Sequence, residues 1–360
     1  MTQLARLAGA PERPQPREAV ASRRPRVAAR TLWFAVAVVL ALGAALASVA
    51  LGTRVMGPGE VLDGLGGVLA GDQAGGVAQA AVEKRIPRTL LAVLVGAALG
   101  AAGAVMQGIT RNPLAEPWIL GVTPGASLAV VTGIAFFGLA SPASYIWVAI
   151  AGAAGAAVFV YAVGSLGRGG ATPLKLALAG AASSAAFTSL ISAILLPRID
   201  VMNQFRFWQI GGVGGADYAR IGQVLPFLLV GVVLCLACAR GLNSMALGDD
   251  VAAGLGQNVV LIRTLAGLGA VILCGAATAV AGPIGFVGLV VPHLCRLLVG
   301  IDHRWLLPAS MVLGAALLTA ADVVGRVVAR PSEVDVGIVT AFIGAPVFIW
   351  IVRRTKLRAL

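Results

Sequence analysis

Long apolar runs, separated by short polar or glycine- and proline-rich breaks, fill the chain from residue 31 to residue 352. The runs are apolar on every side, and a helix of that kind has no face to show to water. A membrane-spanning helix needs about 20 such residues. The pattern predicts ten spans, at about 31–52, 86–109, 118–139, 145–166, 176–196, 221–239, 261–281, 284–299, 305–328 and 336–352.

The residue composition agrees with a membrane protein. Of 360 residues, 59% are hydrophobic and only 12% are charged, which leaves too little polar surface for a soluble domain of this length. Glycine lets membrane helices approach one another closely, and the chain has 47 glycines. Within the second span, Gly100 lies four residues after Gly96 and Gly103 lies three residues after Gly100. This spacing places the three glycines on one face and predicts a close helix contact there. The predicted fold class is an all-α polytopic membrane protein.

The net charge of +12 is concentrated near the two ends of the chain. Excess Lys and Arg beside membrane spans marks the cytoplasmic side. We therefore predict a basic disordered cytoplasmic tail at 1–30, one transmembrane domain at 31–354 and a short cytoplasmic tail at 355–360. Both termini lie in the cytoplasm, in agreement with an even span count. The chain has no interleaved basic and aromatic residues of the kind that bind RNA or single strands, so we expect no nucleic-acid partner.

Two segments between the spans carry turn residues and charge. Residues 53–84 are predicted to form an external segment with a short surface helix. Residues 199–218 are too broken to span and are predicted to form a short external or re-entrant helix. The four cysteines all lie in apolar runs, where a zinc site lacks its second ligand pair, so we interpret them as small buried hydrophobic residues.

The segment 242–263 between the sixth and seventh spans predicts a short helix that lies parallel to the membrane. Asp249 or Asp250 can cap its start, Val251 to Ala253 form one apolar turn, and Gly254 and Gly256 can supply a left-handed stop. Small side chains would let such a helix insert into a groove on a partner protein. From the local pattern alone, a mechanical lever and a plain connector are equally good interpretations.

Arg85 and Arg88 bracket Pro87 at the predicted outer start of the second span, against the usual bias of positive charge toward the inside. They can dock onto carboxylates of an external partner, or they can extend to lipid headgroups. Arg326 lies near the outer end of the ninth span, with Asp322 one helical turn earlier. We interpret that couple as an ion pair within the helix rather than a proton relay.

Enzymatic chemistry has no support in the sequence. His293 and His303 lack the carboxylate or Cys company of a metal site, so no metal site is predicted. The chain contains no phosphate-binding loop, nucleophile elbow or zinc-protease motif. If it moves cargo with the energy of ATP, the ATPase must be a separate chain.

Several motifs in order resemble the FecCD family of ABC-importer membrane subunits over about residues 84 to 352. They are Arg85-Ile86-Pro87-Arg88, Met106-Gln107, Asn112-Pro113-Leu114-Ala115-Glu116-Pro117, Leu120-Gly121, Trp208 before Gly211-Gly212, Leu247-Gly248 through Gly254-Leu255-Gly256, GPIGFVGLVVPH at 282–293, Asp302-His303-Arg304, Asp322, Arg326, and GIVTAFIGAPVF at 337–348. The chain departs from the family in the glycine cluster at 211–215 and in its long basic N-terminal tail.

The resemblance implies a type II ABC-importer permease fold in the cytoplasmic membrane, with a set of protein partners. The subunit would pair with itself or with a paralogue, two ATPase subunits carrying ATP and Mg would bind from the cytoplasm, and an extracytoplasmic binding protein would dock outside. No cofactor would bind to this chain. The cargo would be a ferric siderophore, with haem or cobalamin as the alternatives.

The resemblance also implies roles for individual residues. Arg85, Arg88 and Arg326 would receive the binding protein; Thr172, Pro173 and Leu174 would lie near the cytoplasmic gate; and the fifth and tenth spans would line the pathway. The short helix near 248–256 would couple the permease to the ATPases, which favours the lever. Its residues are Asp249, Asp250, Val251, Ala252, Ala253, Gly254, Leu255 and Gly256.

An ion-coupled secondary transporter is the alternative from another functional class, and a membrane enzyme ranks below it. A secondary transporter would need ionisable residues at mid-membrane depth and broken helices. Asp322 is the only carboxylate that falls inside a predicted span, and it lies near an end. The sequence therefore favours the ATP-driven importer, while the transported chelate and the choice between homodimer and heterodimer stay open.

Overall fold

A computed structural model describes residues 27–70, 76–167 and 172–356 of the chain. The predicted N-terminal tail falls outside these residues except for its last four, which begin the first helix. The loop at 168–171 and the final residues 357–360 also lie outside the described part of the chain.

The described residues form α-helices joined by short links, with no strand among them. A single 3₁₀ turn covers Pro117–Leu120. The helices are α1 Val27–Ala50, α2 Pro58–Ala70, α3 Val77–Thr110, α4 Val122–Phe137, α5 Pro142–Ser165, α6 Pro173–Leu195, α7 Ile199–Ile210, α8 Tyr218–Ala237, α9 Ala239–Met245, α10 Asp249–Gly254, α11 Val259–Ala281, α12 Val287–Val299, α13 His303–Val328 and α14 Val336–Lys356.

Ten of these helices correspond to the ten predicted spans. Seven are long and apolar enough to cross a bilayer, namely α1, α3, α5, α6, α8, α11 and α13. The other three, α4, α12 and the apolar part of α14, are shorter apolar helices. The predicted short helices in the two broken segments are confirmed as α2 and α7.

The prediction was wrong about where α3 begins. The helix starts at Val77 rather than near residue 86 and carries Pro87 inside it. With 34 residues it is about 51 Å long, well beyond the roughly 30 Å hydrocarbon core of a bilayer. Its extra first turns pack on α2, where Val82 is fully buried and Gly64 lies against it. The packing on α2 therefore stabilises a helical start that the local charge and the proline disfavour.

Glycines on α3 bring this helix against two neighbours of the same chain. A Cβ atom at Gly96 or Gly100 would collide with a backbone carbonyl of α13, and one at Gly103 would collide with the carbonyl of Gly288 in α12. The predicted close contact is therefore confirmed. Because α3 is buried along most of its length between these helices, it forms the centre of the bundle.

Replacing Gly100 by alanine should push α3 away from α13, because the new Cβ meets the Ser310 carbonyl. Overpacking of this kind costs about 1–3 kcal/mol. The expected result is a lowered unfolding temperature of the detergent-purified protein. Gly155→Ala is the matched control, because nothing lies within 4 Å of a Cβ added there. Equal unfolding temperatures for the two variants would contradict the close contact.

The bundle has two ends, which we name by their residues. The arginine end carries Arg85, Arg88 and Arg326, and the α10 end carries α9 and α10. Helix α1 starts at the α10 end, where Arg30 lies 4.0 Å from Asp302, the residue that begins α13. All four cysteines are free and buried, as predicted.

Candidate transport and coupling sites

At the arginine end, the Arg85 side chain binds the end of α1. Its Nη1 donates to the carbonyls of Val49 (3.0 Å) and Ala50 (2.8 Å), and its Nη2 donates to the carbonyl of Arg54 (2.9 Å). The last four carbonyls of a helix have no partner within the helix, and arginine can supply one. Only 7% of Arg85 is exposed.

Arg326 binds the same helix end from α13. Its Nη1 donates to the carbonyls of Ser48 (3.0 Å) and Leu51 (3.1 Å), and its Nη2 donates to the Ser48 hydroxyl (2.7 Å). The residue is 2% exposed. Two of the three arginines predicted to face a partner thus already have acceptors inside the chain, at the end of α1.

Arg88 and Arg326 share the carboxylate of Asp322. Arg88 Nη2 lies 2.8 Å from Asp322 Oδ1, and Arg326 Nη2 lies 2.9 Å from Oδ2. The interpretation of Asp322 and Arg326 as an ion pair within the helix is confirmed. Arg88 also pairs through Nη1 with Glu333 at 2.7 Å, and the Glu333 side chain is 40% exposed. The outward side of this cluster is therefore the Arg88–Glu333 pair.

At the α10 end, Asp249 links three elements instead of capping α10. The N-cap residue is Gly248, with φ +118°, and no side chain caps the helix. Asp249 pairs with Arg111 at the end of α3 and with Arg263 Nη2 of α11 at 2.8 Å. Burial alone would raise the pKa of Asp249, but these two guanidinium groups outweigh it and hold the pKa below its usual value. Helix α10 is thus tied to two long helices.

The predicted left-handed stop of α10 is found at Gly256, with φ +79°. The amide of Gln257 donates to the carbonyl of Ala252 (3.0 Å), and that of Gly256 donates to Ala253 (2.9 Å), the two bonds of a Schellman motif. Gly254, the other candidate, remains within the helix.

Helix α10 turns one residue inward and an apolar stripe outward. Ala252 is fully buried, whereas Leu247, Val251 and Leu255 are 64%, 49% and 60% exposed. Val251 lies on α10 and Leu255 directly follows it one turn later, while Leu247 lies just before the helix; we call these three residues the α10 stripe. Exposed apolar patches of this kind mark protein or membrane contacts.

Helix α9 anchors the α10 stripe to the bundle. Leu242 and Met245 are fully buried, and the Met245 carbonyl accepts from Arg111 Nε at 2.9 Å. Asn243 accepts from the His303 backbone amide (2.8 Å) and donates to Asp302 (2.6 Å). Helices α9 and α10 are thus bonded to α3, α11 and the start of α13.

The predicted gate residues lie at the start of α6. Thr172 is its N-cap residue and accepts from the Lys175 amide at 3.4 Å, followed by Pro173 at the first helical position. Leu174 is 70% exposed. The role of the three residues as a gate stays a prediction.

One side of α6 carries hydroxyl groups on an exposed surface. Thr188, Ser189 and Ser192 are exposed, and each hydroxyl donates to the carbonyl four residues earlier, at 2.8–3.0 Å. Those bonds satisfy the hydroxyl protons and leave the oxygens free to accept from solvent or from a ligand. This hydroxyl face is a polar part of an otherwise apolar helix surface.

Two interrupted elements meet inside the bundle. Residues 282–286 leave the helical path between α11 and α12, with φ +70° at Gly282 and +68° at Phe286. The Glu116 carboxylate, just before the 3₁₀ turn, accepts from the backbone amides of Phe286 and Leu289 at the start of α12. Helix α12 has 13 residues and is therefore about 20 Å long, which places Glu116 that far from the α10 end.

A cavity of about 690 Å³ adjoins this break. Its lining includes Glu116, Trp118, Pro283, Phe286 and Phe348, the last from α14. Non-helical backbone is tolerated at membrane depth where it is buried or lines a cavity. Glu116 was not among the predicted site residues, because it falls between two predicted spans, 86–109 and 118–139. Pro113 and Pro117 mark this segment as non-helical, but they carry no information on how deep Glu116 lies.

The family is decided by comparison with known proteins. A model described as the FecCD transport family matches residues 37–354. The chain belongs to the FecCD transport family. The resemblance inferred from the sequence motifs is thereby confirmed.

Relatives of this FecCD chain are permease proteins of uptake systems. It is 46% identical over 270 residues to the probable siderophore transport system permease protein YfiZ of Bacillus subtilis. The aligned region covers 75% of this chain and 81% of that protein. It is 46% identical over 273 residues to the ferric enterobactin permease protein FepD of Escherichia coli, covering 76% and 81%. It is 39% identical over 277 residues to the hemin permease protein HmuU of Yersinia pestis, covering 76% and 82%.

A solved structure shares the fold of the FecCD chain. It is described as a metal-chelate type ABC transporter in an inward-facing conformation, with a TM-score of 0.77 and 28% identity. The match covers 90% of this chain and 99% of that one. The predicted importer permease fold is therefore confirmed.

Proposed function

We propose that this chain is the membrane-spanning subunit of an ATP-driven importer of ferric siderophores. The α10 stripe carries the proposal: three exposed apolar residues lie on and beside a short helix that ion pairs tie to α3 and α11. ATP and Mg would bind to two separate ATPase subunits, and the α10 stripe would receive them. The chain itself has transport, not hydrolysis, as its role.

The membrane orientation follows from this proposal. The α10 end, with both chain termini, would face the cytoplasm, and the arginine end would face outward. The chain would lie in the cytoplasmic membrane, consistent with the permease names of its relatives.

The passage would form between two permease subunits, either identical or paralogous. Helix α14 supports this, because Ile338, Phe342 and Ile349 are 40%, 78% and 52% exposed on a helix with neighbours on one side. The hydroxyl face of α6 supplies the polar side of the passage. Residues Thr172, Pro173 and Leu174 at the start of α6 would control its cytoplasmic opening.

The cargo proposal rests on the relatives' names, which include siderophore, ferric enterobactin and hemin systems. A ferric siderophore is proposed because the two relatives with the higher identity are siderophore permeases. Uptake of iron-labelled ferric enterobactin, ferric hydroxamate and hemin by vesicles with the complete transporter would test it. Uptake of hemin alone would refute the proposal that the cargo is a siderophore, but it would agree with the proposal that the chain belongs to an importer.

Docking of an external binding protein is proposed at Arg85, Arg88 and Arg326, with Arg88 as the member that lies nearest to the surface. A carboxylate of the binding protein would exchange with Glu333 on Arg88. Arg85 and Arg326 would act by holding the end of α1 beneath that site.

Removing the surface partner of Arg88 separates docking from internal packing. In Glu333→Gln, Arg88 keeps its pair with the buried Asp322 but loses the exposed carboxylate that competes with an acidic partner. We expect the variant to keep its unfolding temperature and to bind the binding protein at least about threefold more tightly. Asp217→Asn is the control, since the 3.0 Å pair of Asp217 with Arg220 also lies near the surface and asparagine can still cap α8. Unchanged affinity in Glu333→Gln would remove the docking proposal.

A further inference from the structure

A second cavity, separate from the one beside Glu116, runs into the bundle from the α10 end. It measures about 320 Å³ and lies among α3, α5, α6, α8 and α11. On α11 its lining extends from Arg263 to Gly275, twelve residues or about 18 Å along the helix axis. That depth corresponds to about one leaflet of a bilayer whose core is roughly 30 Å thick.

The cavity is apolar along its depth and polar at its mouth. Its deep part is lined by residues such as Ile150, Ala153 and Phe227. The mouth, at the α10 end, carries Thr110 and Arg263. A ferric chelate would leave its polar groups without partners in such a lining, whereas a hydrocarbon chain would not.

The cavity opens toward the apolar outside of the bundle. Val158, Tyr161 and Leu268 line it and are 70%, 44% and 47% exposed. The adjoining outer surfaces of α5 and α8 expose large apolar side chains, which include Trp147, Phe159, Leu229 and Val233. In a bilayer these surfaces face lipid, so an acyl chain has a lateral route into the cavity.

The charge near the mouth of the cavity favours an anionic headgroup. Two guanidinium groups, Arg111 and Arg263, share the single carboxylate of Asp249. Arg263 Nε is buried and finds no hydrogen-bond partner among the described residues. The cluster of Arg111, Arg263 and Asp249 thus has one excess positive charge, and Arg263 at the mouth has an unused donor, a combination that fits a phosphate.

We propose that this cavity binds one anionic phospholipid, with an acyl chain between α5 and α11 and its phosphate at Arg263. Basic pockets between membrane helices are known to bind anionic headgroups in this way. The bound phosphate would lie beside Asp249 of α10, so the lipid would help to hold the helix that carries the α10 stripe.

The test is native mass spectrometry of the delipidated full-length chain, titrated with phosphatidylglycerol and with phosphatidylcholine of the same acyl chains. We expect phosphatidylglycerol to bind at least fivefold more tightly. Gly267→Leu fills the cavity from α11, where an added Cβ only touches Ile109 at 3.8 Å, and should weaken binding of phosphatidylglycerol about tenfold. Gly155→Leu adds the same side chain where nothing lies within 4 Å and should bind like wild type.

The headgroup contact is tested independently. Arg263→Gln should weaken phosphatidylglycerol binding about fivefold, the effect of one arginine near an anionic headgroup. Arg304→Gln, a 58% exposed arginine at the same end, should have no effect. Equal binding of the two lipids, or wild-type binding by both Gly267→Leu and Arg263→Gln, would overturn the proposal. If Gly267→Leu does not fold, the two arginine variants decide.

Discussion

Replacing Asp322 by alanine is expected to destabilise the chain by about 3–5 kcal/mol, because it leaves buried cations without their shared partner. Asp322 is 1% exposed and lies between Arg88 and Arg326, within 2.9 Å of both. The loss would appear as a large drop in the unfolding temperature of the purified protein. The end of α1 should loosen at the same time, since Arg326 also binds its carbonyls.

The matched control for Asp322 is Glu333→Ala. Glu333 also pairs with Arg88, at 2.7 Å, but its side chain is 40% exposed. Exposed ion pairs contribute only about 0–1 kcal/mol. If the two variants unfolded at the same temperature, the description of the arginine end as a buried ion cluster would be incorrect.

Replacing both Val251 and Leu255 by aspartate is expected to abolish ATP-driven uptake while the chain remains folded. Both side chains are about half exposed on the α10 stripe, so the change leaves the core of the bundle intact. Charges on the stripe would have to be buried without partners if an ATPase subunit packed against it. Co-purification with the ATPase subunits should fall to background.

The control for the α10 stripe changes the same positions but keeps them apolar. Val251→Ile with Leu255→Met preserves the contact surface and should retain both co-purification and uptake. The unfolding temperature of the double aspartate variant should lie close to that of wild type. Wild-type co-purification by the aspartate variant would remove the α10 stripe as the ATPase contact.

The helices could be predicted because apolar run length is a local property of the sequence. The predicted span starts at 145, 176 and 221 match the observed helix starts at Pro142, Pro173 and Tyr218 within three residues. The start of α3 could not be predicted in this way, because its first turns depend on packing against α2.

The local sequence pattern could not predict which groups the charged side chains bind. Arg85 binds carbonyls 35 and 36 residues away, and Arg88 pairs with Asp322, 234 residues away. Asp249 was assigned a capping role that its sequence neighbours allow, yet it serves as the junction of α3, α10 and α11. The family motifs located the right segments, while tertiary packing determined what their side chains bind.

Proteoliposomes with the permease, its ATPase subunits and its binding protein test the central claim most directly. The measurement is accumulation of a ferric siderophore labelled with radioactive iron, with ATP supplied on the α10 side and every ion gradient dissipated. We predict accumulation that requires both ATP and the binding protein and is lost in the double aspartate variant of Val251 and Leu255. A parallel sample with an imposed ion gradient and no ATP should show no accumulation, and accumulation there would contradict the assignment as an ATP-driven importer.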